Sequence, residues 1–277
     1  MGPLDSLPMY AVSPELQPRV DELGLADNLR ELQEHGYTVL RDVASPEFHA
    51  RVREAVLRCA QETEGANHGA AASLLLGRDP VFAELVLNPK LLTVTEYLCG
   101  RGALLSQLAA TVRGQGAPAL GLHADYSWHP SPLPEHNALA TFCWTCDDYS
   151  LPGGATKVIP GTHALRRHPT PEEIAAEEGA VPIECPAGSV AVWDSSVWHG
   201  SYPRTLPGQR VVVHATYSRV ALRPIDDWSH LGEEWLADQP RKMRTLLGRN
   251  DFFGTSTVAR GSSDMERFTT TMLASRR

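Results

Sequence analysis

The apolar residues in the first hundred positions repeat with the period of an α-helix. Leu29 and Leu32 follow Asp27 at helical spacing, and Gly36 comes directly after this stretch. Aspartate is favoured as a helix N-cap and glycine is favoured just past a helix end. The pattern therefore predicts a helix that Asp27 caps and Gly36 ends, followed by a short strand over residues 37–40.

A second helix is predicted to begin at Ser45 and Pro46. Serine is a good cap, proline suits the first helical position, and apolar residues continue at helical spacing to Cys59. Shorter helices are predicted over residues 80–87 and 89–98 by the same pattern. The first hundred residues are therefore expected to form a helical layer.

The hydrophobic period changes at about residue 104. From there to about residue 217 the chain consists of short β-rich segments interrupted by glycine and proline, with one short helix predicted after Thr170. Helices return around residues 226–236 and 239–247, and about 25 Ser-, Thr- and Gly-rich residues at the end are expected to be mobile. Helices followed by a run of strands predict a mainly β fold with flanking helices, in which the helical layer packs on a double-sheet jelly roll.

Length and composition are consistent with one domain. The chain has 277 residues, of which 42% are hydrophobic, and jelly rolls of this size commonly fold as a unit. We expect a single domain over residues 1–277. It would comprise a helical layer at about 1–100, the jelly-roll core at about 101–220, and a C-terminal helical segment with its tail at about 221–277.

The charge pattern excludes several kinds of partner. The net charge is −8 and the charges of both signs are interspersed, so nucleic acid is not an expected partner. No apolar run approaches the ~20 residues that cross a bilayer, so no membrane is expected either. We expect a cytoplasmic protein, and a homodimer is compatible with the sequence.

The five cysteines do not predict a disulfide framework. Their number is odd and their spacing is irregular, which fits a reducing compartment. Cys143 and Cys146 form a C-x-x-C pair, but residues three apart in a strand face opposite sides of a sheet. They are therefore predicted to be two separate core residues and not a redox pair.

The strongest chemical signal is a histidine and a carboxylate two residues apart. His123 and Asp125 would share one face of an extended segment, and His199 could complete a site with them. Two imidazoles and one carboxylate form the facial triad of non-haem Fe(II) oxygenases. Asp147, Asp148 and Asp194 are competing carboxylates, but Asp125 is favoured by its spacing from a histidine.

The motifs around this signal follow a recognisable order. A glycine-rich stretch at residues 153–163 precedes an apolar strand at 186–194, then comes His199, and Arg210 follows eleven residues later. Over about residues 36–217 the chain resembles the phytanoyl-CoA dioxygenase family of Fe(II)/2-oxoglutarate-dependent oxygenases. The resemblance implies a cupin-like double-stranded β-helix.

The resemblance also implies cofactors and roles. His123, Asp125 and His199 would bind Fe(II), with 2-oxoglutarate and dioxygen as co-substrates. Arg210 matches the arginine that holds the distal carboxylate of 2-oxoglutarate, Ser201 matches a serine beside it, and Trp144 matches a tryptophan at the same pocket. Gln107 is a looser candidate for co-substrate binding, suggested by its position before the H-x-D segment.

The expected activity is a dioxygenase that converts 2-oxoglutarate to succinate and CO2 while oxidising, usually hydroxylating, a small organic molecule such as a specialised metabolite. Tyr126 and Trp128 follow the H-x-D segment and are expected to line the substrate pocket. His214 is expected there too, because alternation puts it on the same strand face as Arg210.

Two other functions remain compatible with the sequence alone. The same triad could hold zinc or another divalent ion in a cupin-fold hydrolase or isomerase. The fold could also serve as a non-catalytic module that binds a metal or ligand. The hydrolase or isomerase would have no evident use for Arg210 and Ser201.

Overall fold

The computed structural model describes residues 9–62 and 69–251, together with 266, 269 and 270. The predicted mobile tail lies almost entirely outside the described residues. Helices and strands follow the predicted order, with the helices first and the strands after them. The α-helices are α1 (Gln17–Glu22), α2 (Ala26–His35), α3 (Pro46–Gln61), α4 (Pro80–Val86), α5 (Pro89–Cys99), α6 (Pro171–Ala176), α7 (Glu233–Ala237) and α8 (Arg241–Leu246).

The strands form two antiparallel sheets. They are β1 (Tyr37–Leu40), β2 (Gly69–Ala72), β3 (Leu104–Gly114), β4 (Leu120–His123), β5 (Leu139–Thr145), β6 (Thr156–Val158), β7 (Val181–Pro182), β8 (Val190–Asp194), β9 (His199–Ser201) and β10 (Gln209–Ser218). The major sheet has the order β1-β8-β5-β10-β3-β2, and the minor sheet has the order β4-β9-β6-β7. This is the predicted jelly roll with flanking helices.

Alternation along the major sheet produces two apolar layers. Phe142 and Trp144 of β5 pack in the large cluster that the sheet forms with the helices. Cys143 lies between them in sequence and belongs to the cluster between the two sheets, whereas Cys146 belongs to the helix side. The two cysteines of the C-x-x-C pair therefore face opposite sides of the sheet, as predicted.

The observed helix ends agree with the predicted ones where the capping side chain lies within a few residues of the group that it caps. The Ser45 side chain accepts a hydrogen bond from the backbone nitrogen of Phe48 at 3.2 Å, and Thr170 forms a capping box with Glu173. Gly36 ends α2 in the left-handed conformation, as predicted. Asp27, in contrast, does not cap α2, because the helix already begins at Ala26 and Asp27 lies in its first turn.

The predicted helix over residues 226–236 is wrong. Only its end is helical, in α7, because the Asp226 carboxylate accepts a hydrogen bond from the backbone nitrogen of Leu108 at 2.9 Å. The indole of Trp228 donates to the Leu105 carbonyl at 2.8 Å. These contacts hold the segment against β3 in an irregular path.

The apolar cluster on the helix side extends in sequence from Leu16 to Leu247, so the described N- and C-terminal helices share one core with the major sheet. The single-domain organisation of the full chain stays a prediction. Among the described ranges, no helix has the length and apolar character needed to cross a bilayer.

Candidate active site

The structure brings His123, Asp125 and His199 together. His123 ends β4 and His199 begins β9, and the two are direct partners in the antiparallel register. One ligand atom from each of the three residues lies within 4.8 Å of the others. The Asp125 Oδ1 atom is 3.3 Å from the His199 Nε2 atom and 3.8 Å from the His123 Nε2 atom. The site is therefore formed by neighbouring strands of the minor sheet and the loop after β4.

Both imidazole rings are oriented by backbone carbonyls. The Nδ1 atom of His123 is 3.0 Å from the Gly121 carbonyl oxygen, and the Nδ1 atom of His199 is 3.1 Å from the Val197 carbonyl oxygen. Such a carbonyl accepts a hydrogen bond, so the ring proton resides on Nδ1 and the Nε2 lone pair stays free. This is the usual way in which a protein prepares histidine to bind a metal ion.

The Asp125 carboxylate is held by two side chains of the major sheet. Its Oδ2 atom accepts hydrogen bonds from the Thr141 hydroxyl at 2.8 Å and from the Trp193 indole at 3.0 Å. Its backbone nitrogen donates to the Ser195 carbonyl at 2.9 Å. These contacts leave Oδ1 directed towards the two histidines.

The electrostatics keep this carboxylate ionised. Burial alone would raise the pKa of Asp125, but the neighbouring His199 and His123 outweigh it and hold that pKa well below its usual range. Burial alone would lower the pKa of His199, and the charge of Asp125 raises it above its usual value. An anionic oxygen beside two imidazoles with free Nε2 lone pairs is a donor set that suits a divalent cation of intermediate softness.

The triad opens into a cavity of about 470 Å³ between the sheets. This volume is typical of a site for a small organic ligand. Eight of the ten residues predicted for the site line the cavity, namely Gln107, His123, Asp125, Trp128, His199, Ser201, Arg210 and His214.

The other two predicted residues, Trp144 and Tyr126, face away from it. Trp144 points to the helix side of β5, where its indole donates to the His49 Nδ1 atom at 3.0 Å. The Tyr126 side chain is fully buried and its hydroxyl accepts a hydrogen bond from the Ala138 backbone nitrogen at 2.6 Å. The predictions that Trp144 contacts the co-substrate and Tyr126 the substrate are corrected accordingly.

Arg210 lines the cavity from β10. Its guanidinium donates to the Gly154 carbonyl, and its central carbon lies 4.9 Å from the centre of the Tyr149 ring. The side chain is buried, and its Nε atom has no hydrogen-bond partner within the described residues. The Gly153-Gly154 pair is thus a tight turn that contributes a carbonyl to this arginine, with Gly154 at a φ of 77°.

A second arginine, Arg113, is the direct cross-strand partner of Arg210. It donates to the Ser201 hydroxyl at 2.6 Å. Burial lowers the pKa of Arg113, and the nearby charge of Arg210 lowers it further. Neither guanidinium forms a salt bridge with a carboxylate in the parts of the chain that the structure describes, so this end of the cavity carries excess positive charge that favours an anion.

His214 lies on the cavity wall between the arginines and the triad. Its Nδ1 atom is 3.1 Å from the Cys143 sulfur and its Nε2 atom is 3.2 Å from the Thr111 hydroxyl. Burial of the ring, with a contribution from the charge of Arg210, lowers the pKa of His214 to about 4. The ring is therefore neutral at physiological pH.

Sequence reasoning missed four residues that build the site, which are Arg113, Thr141, Tyr149 and Trp193. Thr141 and Trp193 are detectable only through the pairing of β5 with β8, in which they are direct partners. Arg113 could have been suspected, because a charged residue on an otherwise apolar strand usually has a specific partner.

Comparison with known proteins identifies the family. The family model of phytanoyl-CoA dioxygenase (PhyH) matches residues 32–212, which is more than half of the chain. The chain belongs to the phytanoyl-CoA dioxygenase family. As a member of this family it is a non-haem Fe(II)/2-oxoglutarate-dependent oxygenase, and Fe(II), 2-oxoglutarate and dioxygen are its cofactor and co-substrates.

Two sequence relatives illustrate the spread of the phytanoyl-CoA dioxygenase family. Uncharacterized protein Rv1501 of Mycobacterium tuberculosis is 26% identical over 227 residues, which cover 77% of this chain and 82% of the relative. Dioxygenase af480 of Aspergillus fumigatus is 30% identical over 155 residues, which cover 54% of this chain and 49% of the relative.

Solved structures share the fold at low sequence identity. HygX from Streptomyces hygroscopicus, with nickel and 2-oxoglutarate bound, has a TM-score of 0.62 at 16% identity and covers 72% of this chain and 88% of its own. EctD from S. alaskensis, with 2-oxoglutarate and 5-hydroxyectoine, has a TM-score of 0.61 at 20% identity and covers 74% and 80%. The epimerase SnoN from nogalamycin biosynthesis has a TM-score of 0.63 at 18% identity and covers 76% and 92%.

Proposed function

We propose that this oxygenase couples the conversion of 2-oxoglutarate to succinate and CO2 with the hydroxylation of a small organic substrate in the cavity between the sheets. The observation that carries the proposal is the presence, in one cavity, of a three-residue metal site and a pair of arginines that have no carboxylate partner among the described residues. A metal site alone would fit many reactions. The arginine pair adds a requirement for a bound anion.

The residues of the triad fit Fe(II). The Nε2 atoms of His123 and His199 and the Oδ1 atom of Asp125 are the three atoms left free by the hydrogen bonds around them. Together they are the donor set of a facial triad, which leaves positions on the metal for the other reactants. When bound, Fe(II) and 2-oxoglutarate would supply the electrons that reduce dioxygen in this chemistry.

The arginine pair fits the distal carboxylate of 2-oxoglutarate. A guanidinium binds a carboxylate through two parallel hydrogen bonds, and such bonds are strongest where water is excluded. The Nε atom of Arg210 has no hydrogen-bond partner in the described segments, and Arg113 is the cross-strand partner of Arg210. The Ser201 oxygen accepts hydrogen bonds from Arg113 and from the Leu120 backbone nitrogen at 3.2 Å, so its own proton is available for the carboxylate.

The substrate class is supported by the volume of the cavity and by the neighbours. HygX and EctD have been solved with hygromycin B and with 5-hydroxyectoine, and both are small organic molecules. A specialised metabolite is therefore a reasonable substrate. Hydroxylation is favoured over halogenation, because Asp125 occupies the ligand position that a halide would need.

The deciding experiment is an anaerobic titration of the metal-free protein with Fe(II) and 2-oxoglutarate. We expect the visible charge-transfer absorption that a chelated 2-oxo acid produces with Fe(II). It should be lost in His199→Ala and retained in the control His35→Ala, whose histidine is exposed on α2. A wild-type protein that shows no such band and holds zinc tightly would favour the hydrolase or isomerase alternative.

The same titration tests the co-substrate site. Arg113→Leu and Arg210→Leu should each raise the 2-oxoglutarate concentration needed for half of the absorption change by about 10-fold or more, because each removes a charge-assisted hydrogen bond. Arg30→Leu removes an exposed arginine of α2 and is the matched control. An unchanged midpoint in both cavity variants would mean that the co-substrate binds elsewhere.

A further inference from the structure

Two uncommitted polar side chains face the cavity near the triad. Gln107 of β3 and Thr216 of β10 are direct cross-strand partners, and both line the cavity. Neither the Gln107 amide nor the Thr216 hydroxyl has a hydrogen-bond partner in the described part of the chain. Polar groups inside a protein are normally paired, so these two are available to a ligand.

These side chains lie at the level of the metal ligands. Thr216 is the direct partner of Thr141 on its other side, and the Thr141 hydroxyl donates to Asp125. Gln107, Thr216 and Thr141 thus form a row across three adjacent strands, and this row ends at the carboxylate of the triad.

The same row is remote from the arginine pair. Thr216 is six residues from Arg210 along β10, and Gln107 is six residues from Arg113 along β3. At the rise of a β-strand this is a backbone separation of roughly 20 Å. A five-carbon diacid that reaches from the metal towards the arginines extends away from Gln107. The sequence suggested that Gln107 binds the co-substrate. The structure favours a contact with the primary substrate instead.

The exposed residues that line the cavity are mostly apolar. Leu120, Trp128 and Ile225 are 54%, 57% and 45% exposed, and the exposed polar residue among the described lining residues is Ser127. Exposed apolar residues that border a cavity mark a surface for a ligand, and an indole offers a flat face to a ring or chain.

The substrate side of the cavity offers no fixed charge. Among the described residues that line the cavity, the charged side chains are Asp125, Arg113 and Arg210, which belong to the metal and co-substrate ends. A charged substrate group would lose its hydration without gaining a counter-charge, which is costly. An amide or hydroxyl pair, in contrast, can bind a neutral carbonyl or hydroxyl group.

We propose that the primary substrate is an uncharged molecule whose apolar ring or chain lies on Trp128 and whose carbonyl or hydroxyl group binds the Gln107 amide and the Thr216 hydroxyl. This inference rests on the proposed function, because it takes the triad as the Fe(II) site and the arginine pair as the 2-oxoglutarate site. It adds the chemical class of the substrate and the two side chains that select it.

Three probes of nearly equal shape and different charge test the proposal. They are 4-phenylbutan-2-one, which is neutral, 3-phenylpropanoate, which is an anion, and 4-phenylbutan-2-amine, which is a cation. Binding is measured by anaerobic calorimetry to the enzyme loaded with Fe(II) and 2-oxoglutarate. We expect the ketone to bind at least about 10-fold more tightly than either ion, because a buried unpaired charge is penalised. Equal affinities, tighter binding of an ion, or no ketone binding up to its solubility limit would overturn the proposal.

A variant of Gln107 tests whether this residue is responsible for binding the neutral ketone. Gln107→Leu removes the amide while keeping an apolar side chain, and should weaken ketone binding by about 10-fold with little change in the 2-oxoglutarate midpoint. Gln115→Leu is the control, because that amide contacts the Thr205 carbonyl outside the cavity. Undiminished ketone binding in Gln107→Leu would contradict the assignment. If wild type shows no charge-transfer band, the proposed function itself fails, whereas a normal band without the charge preference defeats this inference alone.

Discussion

Asp125 uses its two carboxylate oxygens differently. Oδ2 is fixed by Thr141 and Trp193, and Oδ1 remains directed towards the histidines. Partners that orient a metal ligand commonly contribute 10- to 100-fold in metal affinity. Thr141 is therefore as much a part of the site as the ligand that it holds.

We expect Thr141→Val to weaken Fe(II) binding by about 10-fold, because valine has nearly the shape of threonine but cannot donate a hydrogen bond to Asp125. The measurement is an anaerobic Fe(II) titration in the presence of 2-oxoglutarate. Thr205→Val, at an exposed threonine, is the control. Wild-type affinity in Thr141→Val would show that Trp193 alone orients the carboxylate.

His214 predicts a pH dependence of stability. Its pKa is about 4 in the folded protein and its ordinary value is 6.5. Below pH 6.5 the unfolded chain binds a proton at this residue and the folded protein does not, so its contribution to stability decreases as the pH falls towards 4. Above pH 7 the ring is neutral in both states and the contribution is constant.

His214→Gln should therefore lose less unfolding free energy than wild type between pH 7 and pH 4. Urea unfolding of the metal-free protein at several pH values measures this difference. The comparison at pH 8 reports the packing effect of the substitution alone. Parallel curves over the whole range would mean that His214 titrates normally in the folded protein.

The sequence was sufficient for residues whose geometry follows from alternation along one strand. His123 and Asp125 share a side of the chain because they are two residues apart, and His214 follows from Arg210 in the same way. Thr141, Trp193 and Arg113 reach the site through pairing between distant strands, and that register is not visible in a single sequence. Trp144 was misassigned because its match to the family did not reveal which face of β5 it occupies.

At the scale of elements, the close approach of β4 and β9 depends on Gly200. A Cβ atom at this position would lie 2.4 Å from the Leu120 carbonyl oxygen and 2.9 Å from that of Gly121. Both distances are shorter than any normal contact, and both neighbours are backbone atoms that cannot rotate away. A side chain here would push apart the strands that carry His123 and His199.

Gly200→Ala is accordingly expected to lose most of its Fe(II) affinity and to be destabilised by about 1–3 kcal/mol, the usual cost of overpacking. Calorimetric metal titration and thermal unfolding measure the two effects. Gly114→Ala at the end of β3 is the control, because a Cβ atom there meets nothing within 4 Å. Normal iron binding in Gly200→Ala would mean that the two strands can separate without disturbing the triad.

Helices were predicted best where their signals are local. The caps at Ser45 and Thr170 depend on groups within three residues, so the sequence contains all of the required information. The segment 226–236 is different, because its path depends on Asp226 and Trp228 bonding to β3, more than a hundred residues away in the chain. The helical spacing of apolar residues in this segment could not reveal that its polar groups bond to β3 and hold it in an irregular path.

At the scale of the whole molecule, all five cysteines are free and buried, and they are distributed over both apolar layers. Burial raises the pKa of Cys59, Cys143 and Cys185, and raises that of Cys146 to about 12. Thiolates are the reactive species, so the folded protein should resist alkylation.

We expect iodoacetamide at pH 8 to label the folded protein far more slowly than the unfolded chain. As urea is added, the five thiols should become reactive together at the unfolding midpoint, because their shielding depends on the same packed layers. Mass spectrometry of the labelled protein counts the modified thiols. Rapid modification of one cysteine without denaturant would reveal local opening of its layer.

The exposure of Trp128 has a practical consequence. The chain has six tryptophans, all within the described residues, and Trp128 is the one with an exposed side chain. An aqueous quencher such as iodide should therefore reduce the emission of this residue at the cavity mouth in preference to that of the five less exposed tryptophans. A compound that covers this indole should shift its emission to shorter wavelength, so unlabelled protein could be screened against a chemical library without turnover or a known product.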